Sequence, residues 1–145
     1  MDHLTETKHT RDELDQFWKR LAQTVAQGDF PAYVDHYHQE AVYVSIDSGE
    51  SQPIARALLG WQPGFILTQE GKRSASVKFR FTQRLLGPGI AHETGVFRYS
   101  SAEPNAIPDV LYVHFEALLV KKDRWQLLME YQKESATQEH WEQLG

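Results

Sequence analysis

The first third of the chain carries apolar residues at intervals of three and four, which is the period of an amphipathic helix. The pattern starts behind Thr10 and Glu13, whose spacing matches a capping box. We expect residues 1–9 to form a flexible arm and the helix behind it to bury Leu14, Phe17, Trp18, Leu21, Ala22 and Val25. Gly28 ends this helix, and Asp29 with Pro31 opens a second one that carries Phe30, Tyr33, Val34 and Tyr37 on one stripe.

Residues 41–46 alternate and are β-branched, so they are predicted to form the first strand. Ser51 is a candidate cap for a third, short helix that Pro63 and Gly64 would stop, with a brief strand possible over residues 65–68.

Alternation of apolar and polar residues dominates the second half of the chain. It predicts strands over residues 74–85 and 90–99 and two final strands, DVLYVHFEALLVKK and RWQLLMEYQKES, before a closing helix that starts at Thr137. The connections are too short for parallel crossovers, so successive strands should pair antiparallel. The sequence therefore predicts an α+β domain over residues 10–145: a curved, mostly antiparallel sheet of five to six strands around three N-terminal helices, with a short C-terminal helix.

Composition narrows the possible functions. The 145 residues suffice for one core and contain no cysteine, which excludes thiolate catalysis and cysteine-ligated metals. The net charge is −5 and the basic residues are scattered, so we expect no nucleic-acid partner. Neither a secretory signal nor a membrane span is visible, and a soluble cytoplasmic protein is expected. His36 and His38 suggest a metal site, but residues two apart on a helix diverge, so no metal and no cofactor are predicted.

Candidate chemistry lies on the last two strands. A tight turn at Lys122 and Asp123 would bring His114, Glu116 and Tyr131 onto one face. A histidine flanked by a carboxylate and a phenol has the components of general acid-base catalysis near neutral pH. The same three groups could equally be hydrogen-bonded together only to satisfy buried polarity.

Aromatic residues make up 12% of the chain, and several fall where helices and sheet would enclose a cavity. Such walls favour a small apolar or ring-containing ligand held by few hydrogen bonds. The residues predicted to line the pocket are Trp18, Tyr33, Tyr37, Tyr43, Trp61, His92, Tyr112, Trp125 and Met129.

Two segments, GDFPAYVDHYHQEAVYVS and KDRWQLLMEYQKES, together with the element order, make the chain resemble the nuclear transport factor 2-like superfamily, including its SnoaL-like members. The resemblance implies a cone-shaped barrel with one pocket and a homodimer formed through the outer sheet face. That face would carry Leu111, Val113, Phe115, Ala117 and Leu119. Ser45 stands where isomerase-like members place a general-base aspartate, and Met129 and Tyr131 stand where a histidine pair is frequent.

Three functions are compatible with these features. The first is binding of a small molecule in an apolar pocket. The second is a cofactor-independent lyase, isomerase or cyclase that uses His114, Glu116 and Tyr131. The third is a non-catalytic dimeric interaction module.

Overall fold

The computed structural model describes residues 3–145, so the first two residues of the predicted N-terminal arm lie outside it. In chain order the elements are α1 (His3–Gln27), α2 (Phe30–Val34), β1 (Tyr37–Ser45), β2 (Glu50–Pro53), α3 (Ile54–Gln69), β3 (Ser74–Leu86), β4 (Ile90–Ala102), β5 (Asp109–Lys121), β6 (Trp125–Ser135) and α4 (Gln138–Gln143). The predicted α+β class is confirmed. No helix in this range is long and apolar enough to cross a membrane.

The six strands form one sheet in the order β2-β1-β6-β5-β4-β3. Every neighbouring pair is antiparallel except β1 and β6, which run parallel because the chain crosses from one half of the sheet to the other between them. The sheet stays open, with β2 and β3 at its edges, and is not the closed barrel that the resemblance implied.

Helix α1 begins at His3, seven residues before the predicted start. A capping-box spacing is only a local signal, and the exposed Glu6 and Lys8 are good helix formers that extend the helix into solvent. Residues 3–9 therefore belong to the helix, ahead of its predicted start. The helix ends at Gly28 as predicted, where φ is +70° and an added Cβ would lie 2.5 Å from the Gln69 nitrogen of α3.

Helix α3 runs through Pro63, so the predicted stop and the short strand at residues 65–68 were both wrong. Proline removes one backbone hydrogen bond from a helix, which is a strong but local penalty. Apolar side chains beyond it, among them Phe65, still pack against the core and maintain the helix. Ser51 belongs to β2 and does not cap α3.

The core lies between one face of the sheet and helices α1 to α3. Leu14 and Leu21 of α1 meet Phe115, Leu119 and Leu127 of the sheet, and all are at most 4% exposed. We call this side of the sheet the inner face.

Helix α4 covers part of the opposite, outer face. Its predicted start is confirmed: Thr137 accepts a hydrogen bond from the His140 backbone N–H at 3.0 Å. The Trp141 ring is 5% exposed and lies with its centroid 6.0 Å from that of Tyr112. The Arg80 guanidinium stands 4.3 Å from the Trp141 ring centroid and donates to the Trp141 carbonyl at 2.7 Å, which fixes the helix on the sheet.

Candidate functional site

A cavity of about 380 Å³ opens between the inner face and the helices. Its volume falls within the range of small-molecule sites. Its walls are mainly aromatic and aliphatic, with a few polar groups. The lining consists of Trp18, Leu21, Val25, Tyr33, Tyr37, Gly60, Trp61, Gly64, Phe65, Thr68, Arg73, Ala75, Val77, Phe79, Phe97, Tyr99, Leu111, Phe115, Glu130 and Gln132.

The predicted catalytic residues lie on the outer face. Glu116 and Tyr131 are direct partners across β5 and β6, so they share a face as predicted. However, Phe115 between His114 and Glu116 is 3% exposed and lines the cavity. Because neighbouring side chains on a strand point to opposite faces, His114, Glu116 and Tyr131 point away from the cavity.

These residues make outer-face contacts. The Glu116 carboxylate accepts from Lys133 at 2.9 Å and lies 3.1 Å from His92 Nε2. The Lys133 hydrogen bond lowers the pKa of Glu116, and Glu116 in turn raises the pKa of Lys133. The His114 ring centroid is 5.2 Å from that of His140 in α4. The arrangement is a partly exposed ion-pair cluster on the sheet.

The five residues predicted to form an outer dimer face are on the inner face for the same reason. Leu111 and Phe115 line the cavity, and Ala117 and Leu119 have no exposed surface. Val113 pairs with Phe97, another cavity residue. Alternation identified the two faces of β5 correctly, but the wrong one was taken to face the helices.

Four of the nine predicted pocket residues line the cavity: Trp18, Tyr33, Tyr37 and Trp61. Tyr43 borders it, with its ring centroid 5.1 Å from that of Trp61.

The other four predicted pocket residues lie elsewhere. Tyr112 and Met129 are next in sequence to the cavity residues Leu111 and Glu130, so they point to the outer face. His92 also points outward, because its neighbours Ala91 and Glu93 are at most 1% exposed and contact the core and Trp18. Trp125 is buried outside the cavity lining, where its Nε1 donates to Glu13 at 3.1 Å.

The most distinctive group in the cavity is Glu130, which is not among the site residues predicted from the sequence. The Tyr37 hydroxyl donates to Glu130 Oε1 at 2.5 Å, and Gln132 Nε2 donates to Glu130 Oε2 at 2.7 Å. The Tyr33 hydroxyl lies 3.0 Å from the Tyr37 hydroxyl and extends the chain of hydrogen bonds. A carboxyl group that is hydrogen-bonded to Tyr37, and through it to Tyr33, therefore stands in a mainly apolar cavity.

Burial controls the proton affinity of this group. Removal from bulk water raises the pKa of Glu130, and this outweighs the lowering effect of the hydrogen bonds from Tyr37 and Gln132. Burial and the nearby carboxyl also raise the pKa of Tyr37 and of Tyr33, so both phenols keep their protons. The carboxyl thus holds a proton to higher pH than an exposed glutamate.

A β-bulge explains why Glu130 escaped prediction. Leu119 pairs with Leu127 and Leu118 pairs with Met129, so Leu128 is an extra residue in β6. Before the bulge Trp125 and Leu127 face inward, and after it Glu130 and Gln132 do. Unbroken alternation from Trp125 would place Met129 and Tyr131 inside. The glutamate in an apolar strand was the available signal, but the bulge is not visible in the residues themselves.

A second polar position lies on the cavity wall at the start of β3. Arg73 lines the cavity and donates from Nη2 to the Tyr99 hydroxyl at 3.0 Å. Tyr99 lies on β4 and also lines the cavity, while Gly64 of α3 packs beside the guanidinium.

A buried ion pair supports the wall without lining the cavity. Glu93 has no exposed surface, and it accepts hydrogen bonds from Trp18 Nε1 at 2.8 Å and from Arg84 Nε. Arg84 also donates to Asp15 at 2.6 Å. The pair fixes the indole of Trp18, one of the cavity residues, in a single orientation.

The two histidines considered for metal binding are engaged locally. His36 Nδ1 lies 2.8 Å from the Ala32 carbonyl oxygen, and burial lowers the pKa of His36. His38 Nδ1 accepts from the Glu40 backbone N–H at 3.0 Å.

No protein-family model and no curated protein sequence matches the chain. Solved structures do. A nuclear transport factor 2-like protein of unknown function from Shewanella oneidensis is 19% identical, with a TM-score of 0.69 over 86% of this chain and 98% of that one. ActVI-ORFA from Streptomyces coelicolor is 13% identical, with a TM-score of 0.68 over 84% and 94%.

A ketosteroid isomerase-like protein from Erwinia carotovora is 10% identical, with a TM-score of 0.60 over 87% of this chain and 95% of that one. At these identities the likeness concerns the fold. The chain therefore has the nuclear transport factor 2-like fold that its sequence resembled.

Proposed function

We propose that this protein binds a small, largely apolar, ring-containing molecule in the cavity on the inner face. The observation that carries the proposal is a cavity of about 380 Å³ with aromatic walls and a hydrogen-bonded Glu130 in its lining. Burial of an apolar ring against such walls supplies binding free energy, and a few polar groups orient the ligand.

The test is a titration with neutral ring compounds, namely 1-tetralone, coumarin, 2-naphthamide and styrene oxide, followed by intrinsic fluorescence and calorimetry. Trp18 and Trp61 line the cavity and should report occupancy. We expect at least one compound to bind with a stoichiometry of one per chain.

A matched pair of variants locates the site. Ala75 lines the cavity, and the next residue, Ser76, points to the other face of β3. Ala75→Phe should fill the cavity and abolish binding, whereas Ser76→Phe should leave it unchanged. Equal effects of the two substitutions, or no binding by any ring compound tested, neutral or acidic, would contradict the proposal.

A second candidate function is proton transfer, favoured by the state of Glu130. A carboxyl whose pKa is raised by burial, and which is held by Tyr37, is suited to exchange protons with a bound substrate. In this function the Glu130 carboxylate removes a proton from the carbon beside a ligand carbonyl and returns it to the product. Neither step needs a cofactor.

Proton exchange can be followed directly for 1-tetralone. In D₂O, loss of the proton NMR signal from the carbon beside the carbonyl should be faster with the protein than without it. Glu130→Gln should return exchange to the background rate while the ketone still binds. Exchange that continues unchanged in Glu130→Gln would exclude Glu130 as the base.

A further inference from the structure

Arg73 differs from Arg80 and Arg84, the two arginines of the neighbouring strand β3. Arg84 is paired with Glu93 and Asp15, and Arg80 is held by the ring and carbonyl of Trp141. Arg73 is half-buried in the cavity wall. Within residues 3–145, no carboxylate forms a salt bridge with it.

The Arg73 guanidinium is nevertheless held in position. Its Nη2 donates to the Tyr99 hydroxyl at 3.0 Å. Its Nη1 lies close to the backbone of α3, 3.3 Å from the position that a Cβ added to Gly64 would occupy. Because Tyr99 accepts this hydrogen bond, its own hydroxyl proton remains available for a third group. The two residues therefore present several N–H donors and one O–H donor to the cavity and neighbouring solvent.

We infer that Arg73 and Tyr99 anchor the anionic end of the ligand, so that the molecule bound in the cavity is a ring-containing carboxylate. A guanidinium is permanently charged and its planar fork matches a carboxylate, to which it can donate two parallel hydrogen bonds. The apolar body of the ligand would lie against the aromatic wall. This inference rests on the proposed function and deepens it.

The other polar position in the cavity is compatible with an acidic ligand. Burial raises the pKa of Glu130, which reduces the negative charge that a bound carboxylate would meet. Tyr33 and Tyr37 connect this carboxyl to the cavity and keep their protons, so a hydroxyl or carbonyl on the far end of the ligand would find hydrogen-bonding partners there.

The test compares two ligands of nearly identical shape, 2-naphthoate and 2-naphthamide, by isothermal titration calorimetry at pH 7.5. We expect the protein to bind the carboxylate about tenfold more tightly, as charge-assisted hydrogen bonds usually contribute this much or more. Arg73→Gln should weaken 2-naphthoate about tenfold and change 2-naphthamide less than threefold. Arg73→Lys keeps the charge without the planar fork, so its affinity for 2-naphthoate should lie between those of the wild type and Arg73→Gln.

Two further variants separate recognition from folding or general charge. Lys72→Gln removes the adjacent, mostly exposed lysine that does not line the cavity, and should leave both affinities unchanged. Tyr99→Phe removes the hydroxyl that holds the guanidinium and should weaken 2-naphthoate selectively. Equal binding of both ligands, or an equal loss of both in Arg73→Gln, would overturn the inference.

The result also separates this inference from the proposed function. If 2-naphthamide and the neutral panel bind but 2-naphthoate is not preferred, the role of Arg73 is wrong while the cavity site stands. If neither the neutral compounds nor 2-naphthoate bind, both proposals fail.

Discussion

Glu130→Gln should remove one contribution to the pH dependence of stability. The substitution keeps the shape of the side chain and its hydrogen bond from the Tyr37 hydroxyl, and Gln132 can turn its amide to match. It removes the only proton equilibrium at this position. In the wild type the pKa of Glu130 is raised above its ordinary value of 4.5, so the folded protein holds a proton that the unfolded chain releases.

The direction and the maximum size of the change in stability follow from this difference in pKa between the folded and unfolded states. Below pH 4.5 both states of the wild type are protonated and the stabilising effect of the neutral carboxyl is fully present. As the pH rises toward the folded-state pKa of Glu130, the free energy of unfolding should fall by up to about 1.4 kcal/mol per pH unit for this one proton. Above the folded-state pKa the contribution is constant. The Gln variant lacks this term, so its free energy of unfolding relative to that of the wild type should rise progressively across the same window.

The assay is urea unfolding followed by tryptophan fluorescence at half-unit intervals from pH 4 to pH 8, with the two proteins compared at each pH. Other titrating groups are shared and cancel in the difference. Glu116→Gln serves as the control, because the Lys133 hydrogen bond lowers the pKa of Glu116; its difference from the wild type should change with the opposite sign, at the acid end of the series around the ordinary value of 4.5, and be flat at higher pH. A Glu130→Gln difference that is flat with pH, or that runs in the Glu116 direction, would refute a raised pKa at Glu130.

Two further predictions concern stability: one compares two glycines, and the other tests the contact between α4 and the sheet. Gly95→Ala should lower the free energy of unfolding by about 1–3 kcal/mol, because its Cβ would lie 2.1 Å from the Arg80 carbonyl oxygen; Gly60→Ala in α3, which meets nothing within 4 Å, should instead raise it by about 0.5–1 kcal/mol. Thermal unfolding of both variants checks this, and equal melting temperatures would contradict it. Trp141→Ala should cost about 3–5 kcal/mol, because the ring is 5% exposed between α4 and the outer face. Denaturant unfolding with a loss below 1 kcal/mol would show that α4 does not stabilise the sheet.

The sequence was sufficient for most elements because their signals are local. Alternation located β3 and the final hairpin, and Thr137 marked the start of α4. Where long-range packing overrides a local rule, prediction failed: α3 continues past Pro63, and the partly buried Phe65 beyond it still packs against the core. The pairing of β1 with β6 is likewise a tertiary feature without a short-range signal.

The candidate site was predicted less well for a geometric reason. Alternation groups the residues of a strand into two sets, but it does not say which set faces the helices. Choosing the polar set put His114 and Glu116 inside, whereas the aromatic Phe115 is the residue that is buried. The extra residue Leu128 then exchanged the faces within β6, which brought Glu130 into the cavity. A one-residue difference in register therefore changed the whole set of candidate groups.

The central claim is that ligands bind on the inner face of the sheet, between Trp61, Phe115 and Glu130. A crystal structure of the protein with the tightest-binding neutral compound of the panel tests it most directly. We predict electron density for the compound enclosed by these three side chains. Density beside His92 and Glu116 on the outer face, with the cavity free of the compound, would contradict the account.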